Sequence, residues 1–382
     1  MENFIPVSFN ATPMTMNHCK RFPLICALAG ALTTVPSAWA QTEFVPSVDA
    51  AVATPAASAG KTVLETHTEN AHVLKGLKSV AVASFQVYVL TEFEAGSTAQ
   101  GGSSKGSISS THSNMKVTGL EAARLQALTD ELYAATLDML KAKGFTVYDP
   151  VALQALPAFV AWKAASDKAP LEFGGSGGKG TAFAASGLPL LHVSEMGWLH
   201  RTRALFGPEI DDPYVSLGEK MGVGFRMTTL QPLVKELAAA AQMPLLHVRL
   251  VLAPGGVDSK GGGFFSNKSE TRTTSTLALP VFTNRFMVTT ADGSVGRLSL
   301  NAPLLSEQGL GDLVDVTSTA ETAGNIALAA FSILASANGY GRAVINNSRK
   351  QELHTSPDLF EPVARAHAKA LLAGLTDKLS AP

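Results

Sequence analysis

Cysteine is nearly absent from this chain of 382 residues: there are two, Cys19 and Cys26, and both lie near its front. The stretch around them reads as a secretory signal. Lys20 and Arg21 form a short basic start, Phe22 to Val35 is an apolar run, and Ala38-Trp39-Ala40 fits a small-x-small cleavage site. Cleavage after Ala40 is expected, leaving Gln41 as the new N-terminus, with Met14 or Met16 as the working start. The exported chain then holds no cysteine. That excludes a disulfide scaffold, thiol catalysis and thiolate metal sites.

An excess of one charge is also lacking. The 30 Lys+Arg and 31 Asp+Glu become 28 and 30 once Lys20, Arg21 and Glu2 are removed. Such a balance offers no electrostatic footprint for nucleic acid. Long apolar runs are missing too. Phe22 to Val35 is about 14 residues, broken by Pro23 and Gly30, where a spanning helix needs roughly 20. Pro23-Leu24-Ile25 before Cys26 lacks the small residues that precede a lipidated cysteine. Glu321 to Ala337 is apolar but interrupted by Asn325, Ser332 and Ser336, and too short to span. It reads as a small-residue helix packed on a sheet, with an oligomerising segment as the alternative. The expected location is the periplasm, with secretion as the alternative and no transmembrane segment after cleavage.

What remains points to an α/β fold: a mixed sheet packed with helices, a single domain with glycine-rich loop insertions. The expected division is 1–40 signal peptide, 41–72 flexible arm, and 73–380 α/β domain. The arm is rich in Ala, Pro, Ser and Thr and has little apolar bulk to bury. Ser79 to Leu90 is apolar on both faces at its start and reads as a central strand. Ser113 to Thr118 is expected to pair back on it. Glu121 to Lys143 carries Leu125, Leu128, Leu132, Met139 and Leu140 at helical spacing, and Gly144 stops it. Phe145 to Tyr148 is a short strand, and Val151 to Ser166 a helix disturbed by Pro157. Leu188 to Val193 is a further strand, and Thr229 to Gln242 a helix with Pro232 in its first turn. Leu245 to Leu252 is a buried strand. Glu270 to Leu279 and Asn284 to Thr290 are antiparallel strands, with an Asp292-Gly293 turn into Val295 to Leu300. Ser356 and Pro357 open the last helix. Gly96 to Ser110, Phe173 to Ser186 and Gly255 to Gly263 are expected to be mobile loops.

No motif compels a reaction. Gly174-Gly175-Ser176-Gly177-Gly178 matches a nucleophile elbow by letter but lacks the strand before and helix after it. Gly178-Lys179-Gly180 lacks the Ser/Thr of a phosphate loop. Gly222 to Met227 lacks the third glycine of a dinucleotide fingerprint. His192, Glu195 and His200 are the candidate metal set, yet on a helix His200 would fall roughly 80° from His192. His67 and His72 read as solvated, and His247 as a hydrogen-bonded core histidine. Glu209, Asp211 and Asp212 read as a solvated acidic turn without calcium-loop spacing. No catalytic residue and no cofactor is expected.

The order of elements resembles the periplasmic α/β domains of Gram-negative envelope-assembly proteins. These are the curli secretion-channel lipoprotein, the lipoprotein activators of penicillin-binding proteins, and the N-terminal domain of the Tol translocation protein. Lys78 to Phe85 resembles their opening strand, Leu128 to Pro150 their helix and second strand, and Leu245 to Leu252 their central strand. The resemblance implies a non-enzymatic accessory protein with an envelope-protein partner. The alternatives are a periplasmic hydrolase or small-ligand-binding protein, and a self-associating envelope protein.

Overall fold

Strand β2 (Ser79–Gln100) organises the molecule, because its Val- and Ala-rich first half can be buried on both faces. The structure is a computed structural model that describes residues 64–100, 108–175, 178–192, 217–260, 270–319, 321–322, 325 and 344–380. The expected signal peptide, residues 41–63 of the expected arm and most of the Glu321–Ala337 stretch lie outside the described residues. The fold is α/β, with a mixed sheet of 11 strands.

Parallel to Ala81–Val89 runs β7 (Leu245–Leu252), whose eight residues are all buried. The sheet continues outward, antiparallel at each step, through β11 (Arg285–Thr289), β12 (Val295–Leu300) and β1 (Thr66–Glu69). On the other side of β2 lie β4 (Thr146–Val147), β6 (Gly178–Ala184) and then β5 (Leu171–Gly175). Beyond Leu90, β2 changes partners. Its outer half pairs with β3 (Ile108–Thr118), β3 with β15 (Val344–His354) in parallel, and β15 with β14 (Asp312–Asp315). The register with β6 slips between Leu90 and Glu92. Thr91 is thus an extra residue that reverses the alternation of faces. Residues 85, 87 and 89 therefore share a face with 92 and 94.

Two pairs of helices cover the inner sheet. α2 (Ala122–Ala142) buries Leu125, Leu128, Leu132 and Leu140, and Gly144 ends it at φ +83°. It packs against α6 (Pro357–Leu379), which Ser356 caps by accepting the Leu359 N–H at 3.4 Å. Glu131 joins them, with Arg365 at 2.8 Å and Lys369 at 2.7 Å. Those two cations, Lys369 foremost, hold its carboxyl below the usual range. A ring contact of 5.7 Å between Phe85 and Tyr133 sets α2 over the Phe85 face. α4 (Pro157–Ala165) and α5 (Leu217–Ala241) pack together on the opposite face, where Trp162 is fully buried. α3 (Pro150–Ala155) precedes α4 and is capped by Asp149, which accepts the Ala152 N–H at 2.7 Å.

Several expectations are corrected. The sheet starts before Val73, since Thr66–Glu69 pairs with β12. Next to it, α1 (Ala71–Leu74) lays Leu74 so close to Gly296 that an added Cβ would meet it at 2.8 Å. The glycine-rich stretches supply strands. Residues 96–100 and 108–110 belong to β2 and β3, the second stretch is the β5–β6 hairpin, and Gly256–Lys260 is β8, paired with β9 (Glu270–Thr274). Backbone pairing satisfies these segments despite their composition. The Leu188–Val193 strand reduces to a single bridge between Asp167 and Leu190. α5 begins at Leu217, so Pro232 lies inside it and not in its first turn. β10 (Thr276–Leu279) pairs with β13 (Leu304–Gly309), a strand the sequence reading did not anticipate. Among the described residues no helix is long and apolar enough to cross a membrane.

Candidate functional site

Directly paired residues on neighbouring strands project from the same face. Applied to the face under α4 and α5, that rule brings together an unusual set of side chains. One row runs Gln86, Arg249, Arg285, Ser299 and His67 across β2, β7, β11, β12 and β1. The next runs Ser84, His247, Met287, Arg297 and Glu69. The opposite face, under α2 and α6, presents Phe85, Val87, Val248, Leu250, Phe286, Val288 and Leu298. The sheet is therefore apolar on one side and cationic on the other. Its three arginines are almost inaccessible: Arg249 0%, Arg285 5% and Arg297 5% exposed.

Burying a guanidinium is costly unless it is compensated. Arg249 lies over the Tyr88 ring with its guanidinium carbon 4.1 Å from the centroid. Arg297 donates to Glu69 at 2.5 Å, which ties the edge strand β1 to the sheet. Tyr88 donates its hydroxyl to Gln86 Oε1 at 3.3 Å, and Gln86 Oε1 also accepts the Leu191 N–H at 3.2 Å. His192 Nδ1 sits 3.1 Å from the Tyr88 oxygen. Which of the two donates there depends on the tautomer of His192. Phe173 closes over both rings, 5.1 Å from Tyr88 and 5.7 Å from His192. His247 Nδ1 bonds Ser84 Oγ at 3.0 Å, and its ring meets the Trp162 edge at 5.7 Å. Asn284 clamps β7 by accepting the Val251 N–H at 2.8 Å. The Trp162 indole N–H and the hydroxyls of Thr289 and Ser299 are buried here with no hydrogen-bond partner among the described residues.

His192 thus belongs to a buried aromatic and polar cluster. Its proposed companions Glu195 and His200 lie outside the described residues, as do Glu209, Asp211 and Asp212. No group of three His, Cys, Asp or Glu able to hold a metal occurs among the described residues. His247 is the hydrogen-bonded core histidine anticipated. His67 is solvent-exposed as expected, but it sits on strand β1 at the sheet edge, 3.6 Å from Glu69. Of the nucleophile-elbow letters, Gly174 and Gly175 end β5, so a strand does precede them, Gly178 begins strand β6 where the motif needs a helix, and Ser176 lies outside the described residues. Gly222 to Met227 lies within α5. Sequence reasoning missed Gln86, Tyr88, Arg249, Arg285 and Arg297. Their signal was present as polar residues at every second position of otherwise apolar strands.

The outer wing has the opposite character. Its inner face, with Phe93, Met115 and Val117, is buried beside β8 and β9. Its outer face is charged and open. Lys179, Glu92, Lys116 and Glu352 follow one another in directly paired positions across β6, β2, β3 and β15. The row ends on Val314 of β14, which among the described residues is paired on one side only. Val314, Val316 and Leu305 are 43%, 42% and 63% exposed.

No family model matches this chain, no curated protein matches it, and no solved structure matches it.

Proposed function

We propose that the chain is an exported, non-enzymatic accessory protein of the periplasm that binds another component of the cell envelope. The observation that carries this reading is the end of the wing. Among the described residues β14 is an edge strand paired on one side only, with Val314 in it and Val316 just beyond it exposed. Soluble proteins blunt such edges or use them, and strand addition is the commonest use. Asp312 and Asp315 at either end of β14 would select a partner strand carrying Lys or Arg. The signal-like front and the resemblance of the element order to that of envelope-assembly domains support the same reading.

Crosslinking in intact cells through a photoreactive residue at Val314, on a C-terminally tagged copy, tests it. One dominant envelope protein is expected, lost when Val314→Glu places a third carboxylate on the strand. Crosslinks to no envelope protein would remove the reading.

A second reading, a small-ligand-binding protein or hydrolase, is favoured by the buried indole N–H and hydroxyls on the cationic face that have no partner among the described residues. Thermal unfolding with small carboxylates and phosphates would separate the two. A bound anion raises the midpoint with concentration, whereas the partner reading expects no shift.

A further inference from the structure

The charged row on the wing alternates in sign: Lys179, Glu92, Lys116, Glu352. An alternating row of even length has a geometric property. Turned by a twofold axis through its centre, it meets its own copy with every charge opposite its complement. Lys179 then faces Glu352 of the other copy, and Glu92 faces Lys116, each contact occurring twice. A row of odd length, or one with like charges at positions exchanged by the axis, would not do this.

We infer that this face docks a second copy of the chain across such an axis. This inference is independent of the β14 reading, because it uses the face of the wing and not its edge. The face is open: the side chains of Lys179, Glu92 and Glu352 are 60%, 32% and 34% accessible, and Lys116 is exposed. Extent sets the strength. Five strands about 4.8 Å apart and about 13 Å deep, the length of the four-residue β14, give roughly 300 Å² per copy. That falls below the roughly 800 Å² of a standard interface. The dimer is therefore weak, concentration-dependent and strongly salt-dependent, since its pairs are solvent-exposed and screened.

Sedimentation equilibrium of the full exported chain, from low to high micromolar concentration, reads this directly. Dimer is expected at about 0.01 M salt, where the Debye length is about 30 Å, and much less at about 0.15 M, where it is about 8 Å. Lys116→Glu sets two carboxylate pairs against each other and weakens the dimer about tenfold or more, the scale of one decade in Kd. Glu92→Lys combined with Lys116→Glu restores it. That double variant carries as many like-charged neighbours within its own row as the single one, so restoration comes only from the contact between copies. A monomer at every concentration and salt overturns the inference. So does a dimer indifferent to Lys116→Glu, or a double variant that fails to recover. Circular dichroism of each variant confirms that the fold is retained.

Discussion

Strand β2 passes through two environments within one hydrogen-bonded ladder. Between Ser79 and Leu90 its side chains are buried on both faces; beyond the irregularity at Thr91 one face opens to water. Both halves carry cross-strand rows of polar residues. In the inner rows Arg249 lies against an aromatic ring, Arg297 is paired with a carboxylate, and Arg285 is buried between them in the sheet. In the outer row Lys179, Glu92, Lys116 and Glu352 are hydrated. The pattern of charge on strands is similar, but the dielectric surroundings differ. Burial turns each inner contact into a structural requirement, whereas exposure leaves the outer row free to act on partners.

The largest expected effect lies in the inner rows. Arg249→Ala removes a fully buried cation, its contact with the Tyr88 ring and the volume of its stem. A loss of about 3–5 kcal/mol in urea unfolding is expected. A loss below about 1 kcal/mol would mean that the inner face tolerates change as the outer one does, and the contrast would fail. Next comes Tyr88→Phe. It keeps the ring under Arg249 but removes the hydroxyl between Gln86 and His192. Leaving buried groups without that link costs about 1–2 kcal/mol. Hydrogen exchange at Leu191, whose N–H shares Gln86 Oε1, should accelerate in this variant.

The sequence made the inner scaffold readable because burial leaves a periodic trace. The Leu stripe of α2, the stop at Gly144, the buried β7 and the Ser356-Pro357 start of α6 all follow from local rules. The cationic face was harder to see. Each of its residues occupies one position in an apolar strand, and its meaning depends on register between strands distant in sequence, such as Arg249 opposite Arg285. Composition misled in the wing. Glycine and serine suggested loops at 96–110 and 255–263, yet long-range pairing made their arms strands, as in Glu92–Gln100 against Ile108–Lys116. Propensity is overridden where tertiary context supplies the partner. The setting of His192 was not legible either: its ring packs with those of Tyr88 and Phe173, contacts that only the folded chain brings together.

The smallest effect is expected from Lys179→Ala, and it tests the outer half of the comparison. Lys179 lies 2.7 Å from Glu92, with its side chain 60% exposed. The hydrogen bond to Glu92 holds its pKa above the usual lysine range. A group whose folded pKa is raised stabilises the fold below its unfolded pKa and loses that contribution as pH rises through the folded one. At neutral pH any such contribution is therefore at its maximum. Yet both side chains are hydrated and mobile before and after unfolding, so the ion pair replaces water contacts of nearly equal strength. The unfolding midpoint of Lys179→Ala should match the parent chain within error at pH 7, at low and at high salt. A clear loss at low salt that vanishes on approaching pH 11 would show that the outer row stabilises the sheet itself, and the division of β2 into a structural half and a surface half would have to be redrawn.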